Sequence, residues 1–150
     1  METLRRILLV EDDPQDIELT LNALGEHNLA NEIEIVRDGV EALDYLYHRG
    51  SFVQRPEGNP VVILLDLKLP KLDGIQVLRQ LKTDEGMRLI PVVVLTSSCE
   101  DRDLAECYRL GTNAYVVKPV HFSEFVQAVK EIGVFWAFIN EPPSDGVQKA

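Results

Sequence analysis

The sequence predicts an α/β domain: a parallel sheet of five strands with five helices packed on its two faces. Three observations predict it. Short apolar runs occur five times, at Ile7–Val10, Ile33–Val36, Val61–Leu65, Val92–Leu95 and Tyr115–Val117. Three of them, around Ile7, Val61 and Val92, are apolar at every position, as expected of strands covered on both sides. Helical periodicity fills the intervals, and strict alternation of strand and helix belongs to parallel sheets flanked by helices.

The second run differs from the other three, because Ile33 and Ile35 alternate with Glu32 and Glu34. That pattern places it at an edge of the sheet. The first helix opens at Pro14, after the potential cap Asp13, and carries Ile17, Leu21 and Leu24 at helical spacing. Val40, Leu43, Leu46 and Tyr47 mark the second helix, and Ile75, Leu78 and Leu81 the third, which Gly74 opens. Leu104, Cys107 and Leu110 mark the fourth, ended by Gly111. The fifth runs from about Phe122 to Asn140, where Pro142 and Pro143 stop it. Residues 1–140 thus form one domain, with a short polar tail at 141–150. The segment His48–Pro60 is a longer loop. Right-handed crossovers restrict the topology. Taken with the resemblance described below, five strands fit the flavodoxin-like order 2-1-3-4-5, which binds ligands beyond the carboxyl ends of its strands.

Composition narrows the function. The chain has 150 residues, 45% hydrophobic and 27% charged, with a formal net charge of −10. This is the balance of a globular domain, and it argues against a basic groove for nucleic acid. The apolar run after Arg5 and Arg6 stops at Glu11, too short for a signal-peptide core. No stretch nears the roughly 20 apolar residues of a membrane span, so the expected location is the cytoplasm. Cys99 and Cys107 would lie about 12 Å apart along one helix, too far for a disulfide, and no His or Cys companions suggest a zinc site.

The strand ends carry the chemistry. Glu11-Asp12-Asp13 follows the first strand, Asp66 ends the third, Thr96 the fourth and Lys118 the fifth. With the first and third strands adjacent, their carboxylates converge. Clustered carboxylates repel one another unless compensated, and a hard divalent cation such as Mg²⁺ takes oxygen ligands. An aspartate can act as a nucleophile and form an aspartyl phosphate. The Thr96 hydroxyl and Lys118 ammonium could then contact the phosphoryl oxygens. Each residue also has a plainer reading: Asp12 as a solvated loop residue, Asp13 as a helix cap, Thr96 as a turn residue, Lys118 as a surface lysine. Their joint placement at strand ends favours the functional reading.

The motifs Ile7-Leu8-Leu9-Val10-Glu11-Asp12-Asp13, Ile63-Leu64-Leu65-Asp66-Leu67-Lys68-Leu69-Pro70 with Asp73-Gly74, Pro91-Val92-Val93-Val94-Leu95-Thr96 and Tyr115-Val116-Val117-Lys118-Pro119 resemble those of response-regulator receiver domains. The resemblance spans residues 5 to about 139. It implies a phosphoacceptor at Asp66, with Mg²⁺ or Mn²⁺ held by Glu11, Asp12, Asp66 and the backbone carbonyl of Lys68. It further implies Thr96 and Lys118 as sensors of the phosphoryl group, Tyr115 as an aromatic switch, and often a cis peptide at Lys118-Pro119. The partner would be a histidine kinase in a two-component phosphorelay. The chain would be a phosphoacceptor signalling protein that also dephosphorylates itself, not a turnover enzyme. Ser97 stands where the family often has alanine or glycine, and Lys68 beside the entering water bears on phosphate lifetime.

Val36-Arg37-Asp38-Gly39-Val40-Glu41-Ala42-Leu43, the long loop before the third strand and the ending Phe135-Trp136 are similar to stand-alone regulators paired with bacterial phytochrome kinases. Only about ten residues follow the fifth helix, so output is expected through partner binding, oligomerisation or onward transfer. Along that helix Phe125, Val129, Ile132, Trp136 and Ile139 supply a core stripe, while Val134, Ala137 and Phe138 lie off it. The extra apolar face predicts a homodimer. Cover by the tail or kinase docking would be alternative uses of it. Two other functional classes compete: a haloacid-dehalogenase-type phosphatase, whose nucleophile would follow the first strand with a second aspartate where this chain has Lys68, and a binding module that is not phosphorylated.

Overall fold

The computed structural model describes residues 6–25, 32–97, 101–118 and 121–131. Five strands and five α-helices alternate: β1 Arg6–Val10, α1 Pro14–Gly25, β2 Glu32–Val36, α2 Gly39–Leu46, β3 Val62–Asp66, α3 Gly74–Thr83, β4 Val92–Thr96, α4 Asp101–Leu110, β5 Ala114–Val117 and α5 Phe122–Glu131. The sheet is wholly parallel in the order β2-β1-β3-β4-β5. The alternating strand is therefore an edge, and the three all-apolar strands are central, buried at every position.

Alternate residues along the strands feed two separate cores. Ile7, Leu9, Leu64 and Leu95 pack with Ile17 and Leu24 of α1 and Phe125 and Ala128 of α5. Leu8, Val10, Ile63, Leu65 and Val94 pack with Ala42, Tyr45, Leu78, Leu81 and Cys107 of α2, α3 and α4. Each fully buried aliphatic side chain contributes roughly 1.5–3 kcal/mol. Fixing its backbone costs about 1–2 kcal/mol, so a strand buried on both faces has a surplus. That surplus carries the polar residues at its carboxyl end.

Helix boundaries follow local chemistry. Asp13 caps α1, its Oδ1 accepting from Gln15 N at 2.8 Å, as the sequence led us to expect. Asp38 caps α2. Asp73 and Gln76 form a capping box at α3. Gly111 follows α4 with φ +101°, a left-handed stop suited to glycine.

The structure changes the expected phase of α2. Its buried residues are Gly39, Ala42, Tyr45 and Leu46, while Val40 is 43% exposed. Tyr45 faces inward because Phe52 meets its ring edge-on at 5.2 Å and the Arg55 guanidinium covers it at 4.0 Å. Both residues come from the loop after α2, which contains a 3-10 turn at Gly50–Phe52. Cys107 is buried and free. Cys99, Pro119, the expected helix beyond Glu131 with Val134, Ala137 and Phe138, and the tail lie outside the described residues.

Candidate functional site

Parallel pairing brings the strand ends to one edge. Val10 pairs with Leu65, Asp66 with Leu95 and Thr96 with Val117. The residues just past β1, at the end of β3, at the end of β4 and just past β5 therefore form a single cluster. Carboxylate oxygens of Glu11, Asp12 and Asp66 all lie within 4.8 Å of one another. Glu11 and Asp66 are buried and Asp12 is exposed.

Lys118 enters this cluster from β5, with its side chain 9% exposed. Its ammonium lies 2.7 Å from Asp16 Oδ2, 3.0 Å from Glu11 Oε1 and 3.4 Å from Asp66 Oδ1. Thr96 is fully buried beside it, and the Thr96 carbonyl accepts the Lys118 backbone N–H at 2.7 Å.

The electrostatics show a shortage of positive charge. Burial, and then the neighbouring Asp66 carboxylate, push Glu11 up to about 7. Burial also raises Asp66, against the opposing pull of Lys118, a hydrogen bond with Glu11 and the Lys68 backbone N–H. Lys118 is raised, because hydrogen bonds to Asp16 and Glu11 outweigh its own burial. One lysine does not neutralise this carboxylate group. Three hard oxygen donors on a short span, two of them buried, fit a small divalent cation.

An open cleft of about 640 Å³ adjoins the cluster, lined by Asp12, Leu67, Lys68, Leu69, Pro70, Asp73, Ile75 and Asp103. Of the cluster it reaches Asp12, on the side lined by Ile75 of α3 and Asp103 of α4. Glycine lets α3 start against the end of β3: Gly74 N–H donates to the Leu67 carbonyl at 2.9 Å, and a Cβ at Gly74 would lie 2.3 Å from the Asp66 carbonyl oxygen. Gly39 meets the same loop, where a Cβ would lie 1.9 Å from the Leu72 carbonyl oxygen.

The structure thus brings together Glu11, Asp12, Asp66, Thr96 and Lys118, and sets Lys68 on the cleft wall. Tyr115 stands on β5, three residues before Lys118, half-buried and stacked on Tyr108 of α4 with ring centroids 6.4 Å apart. Sequence reasoning missed Asp16 and Asp103. Asp16 reads as an ordinary acidic residue in the first turn of a helix, and only the fold shows that it faces Lys118.

Comparison with known proteins agrees with this geometry. Residues 7–130 match the family model described as response regulator receiver domain. The chain is 43% identical over 138 residues to a probable methanogenesis regulatory protein, FilR2, of Methanothrix harundinacea, covering 91% of this chain and 86% of that protein. It is 38% identical over 130 residues to response regulator Rcp1 of Synechocystis, covering 87% of each. The solved structure of the Mn²⁺-bound form of Rcp1 superposes with a TM-score of 0.74 at 36% identity, over 93% of this chain and 99% of that one. The bacteriophytochrome response regulator AtBRR superposes with a TM-score of 0.86 at 58% identity, over 93% of this chain and 100% of that one. With a matching domain model, near-complete coverage and an acidic strand-end site beside a buried lysine, the chain belongs to the response-regulator receiver family, and bacteriophytochrome response regulators are among its close homologues.

Proposed function

We propose that Asp66 is the phosphoacceptor of this receiver and that a bacterial phytochrome histidine kinase supplies the phosphoryl group. The observation that carries the reading is the convergence of Asp66 with Glu11, Asp12 and Lys118 at one sheet edge. An Asp66 carboxylate oxygen bonds to phosphorus as the bond from phosphorus to the kinase imidazole nitrogen breaks, and the electron pair stays on that nitrogen. Glu11, Asp12, Asp66 and the Lys68 carbonyl would hold a Mg²⁺ or Mn²⁺ ion, which neutralises charge on the transferring group. Lys118 supplies a second positive charge from the β5 side, and the Thr96 hydroxyl offers a hydrogen bond to the phosphoryl oxygens. Burial of Glu11 and Asp66 keeps these interactions strong by limiting the water around them. The similarity to bacteriophytochrome response regulators supports the choice of kinase.

Output in this reading is a two-state switch. The Thr96 hydroxyl moves toward the phosphoryl group, and the Tyr115 ring turns inward, leaving Tyr108. Such a switch shifts populations only by the difference in interaction between its two states. The receiver occupies 1–140, the last helix joins two copies through Val134, Ala137 and Phe138, and the protein works in the cytoplasm without nucleic acid.

Purified phytochrome kinase, autophosphorylated with labelled ATP, tests the reading. Label should pass to the parent chain in the presence of Mg²⁺ and not to Asp66→Asn. Equal labelling of both would refute Asp66 as acceptor. No transfer from the phytochrome, with transfer from an unrelated kinase, would refute the partner. Thr96→Ala should still be labelled but lose the phosphorylation-dependent change in dimerisation; an undiminished change would refute the coupling.

A further inference from the structure

Among the described residues the Lys118 ammonium meets three carboxylates, and its shortest contact is to Asp16, a residue outside the carboxylate set that converges on Asp66. Nζ lies 2.7 Å from Asp16 Oδ2, against 3.0 Å to Glu11 and 3.4 Å to Asp66. The placement is built from the helix cap upward. Asp13 Oδ1 accepts from the backbone N–H of Gln15 at 2.8 Å and of Asp16 at 3.3 Å. Those bonds fix the first turn of α1 just beyond β1. Lys118 stands at the far end of β5, so the contact ties together two elements 102 residues apart in sequence.

An ammonium and a divalent cation compete for the same carboxylates. Glu11 and Asp66 face Lys118, and both also belong to the oxygen cluster suited to a cation. If Lys118 had only those two partners, cation binding would have to displace it from both. Asp16 offers it a third carboxylate whose oxygens are not part of that cluster. It is also the most exposed of the three, with its side chain 28% accessible against 1% for Glu11 and 5% for Asp66. Its charge is therefore the least costly to keep beside the lysine once the others are engaged.

We propose that Asp16 is a positioning residue: it holds the Lys118 ammonium to the α1 side of the site, leaving Glu11 and Asp66 free to take a divalent cation while keeping the lysine within reach of Asp66. The inference rests on the cation-binding reading of the cluster. It differs from a general effect of negative charge, because it works through Lys118 and should vanish when Lys118 is removed.

The test is a double-mutant cycle in Mn²⁺ affinity, read from the paramagnetic resonance signal of free Mn²⁺. The chains are the parent, Asp16→Asn, Lys118→Met and the double variant, each checked for folding by circular dichroism. Asp16→Asn keeps the shape and removes the charge. In the parent background it should weaken Mn²⁺ binding about three- to tenfold, the usual size of coupling between contacting groups. In the Lys118→Met background it should change affinity by less than about twofold, since a partly exposed charge is screened. An equal loss in both backgrounds would make Asp16 only a remote charge and overturn the proposal. Unchanged or tighter binding by Asp16→Asn in the parent background would also overturn it. A folded parent chain that binds no Mn²⁺ would overturn the cation reading beneath it, which a normal affinity in the parent with an inert Asp16→Asn would not.

Discussion

Substituting Gly74 by alanine should damage fold and function together, because the obstacle to its side chain is the backbone of Asp66 itself. A Cβ there would lie 2.3 Å from the Asp66 carbonyl oxygen, 2.6 Å from Leu67 Cα and 3.0 Å from the Asp66 carbonyl carbon. Carbon atoms in good contact sit about 3.5–4.0 Å apart, so main chain must yield by roughly 1 Å. Main chain cannot swing aside as a flexible side chain can. Overpacking of this kind costs about 1–3 kcal/mol, and the backbone obstacle points to the upper end. Alanine gains up to about 1 kcal/mol over glycine in a helix, which leaves a net loss of about 2 kcal/mol. For a domain of this size that lowers the melting temperature by roughly 4–8 °C. Displacing Asp66, the proposed phosphoacceptor, by about 1 Å should also slow phosphorylation by a small-molecule donor about ten- to a hundredfold. Thermal melts followed by circular dichroism and a phosphorylation time course measure the two effects. Gly86→Ala is the control. Its nearest obstacle is one side-chain oxygen, Asp84 Oδ1 at 3.3 Å, and stability should change by less than about 0.5 kcal/mol. A Gly74→Ala chain that melts with the parent and labels at the parent rate would mean that the added Cβ is accommodated without displacing Asp66.

Two further predictions concern other parts of the chain. Burial, followed by repulsion from Asp103 and Glu106, pushes the Cys107 thiol up from 9.0 to about 11. A raised folded value means that the folded state holds its proton longer, so the contribution is full below about pH 9 and is lost as pH rises toward 11. Urea titrations from pH 8 to 10.5 should show the parent losing roughly 2 kcal/mol more than Cys107→Ala over that window; parallel pH profiles would contradict it. Charged replacements of Val134 and Phe138 should reduce the mass by light scattering to one chain, near 16.9 kDa. A parent already monomeric with and without a phosphoryl mimic would end the dimer idea.

Much of the architecture can be read from hydrophobic pattern, for a physical reason. A strand buried on both faces must be apolar throughout, so β1, β3 and β4 stand out, and the alternation of Ile33 and Ile35 with glutamates marks β2 as an edge. Element ends are harder, because pairing register decides them and side-chain polarity does not. Asp66 and Thr96 are still strand residues, held by their pairing with Leu95 and Val117. The phase of α2 escaped sequence reasoning because its buried face depends on Phe52 and Arg55, supplied by a later loop. In the site, Glu11, Asp12, Asp66, Thr96 and Lys118 were visible because each sits at a strand end, where topology alone brings them together. Asp16 was not. An acidic residue in the first turn of a helix is favoured by the helix dipole whatever it faces, and its bond to Lys118 exists only once β5 lies beside β4 and α1 crosses behind the sheet.

Whether Asp66 carries the phosphoryl group under the control of a cation is decided by locating the modified residue. The parent chain would be incubated with a small acyl phosphate and Mg²⁺, treated with borohydride to reduce the acyl phosphate to a stable alcohol, digested and sequenced by mass spectrometry. Homoserine is expected at Asp66 alone, and none when a chelator removes Mg²⁺. Reduction at Asp12 or Asp16 with Asp66 intact, or equal modification of Asp66 without any divalent cation, would contradict this assignment.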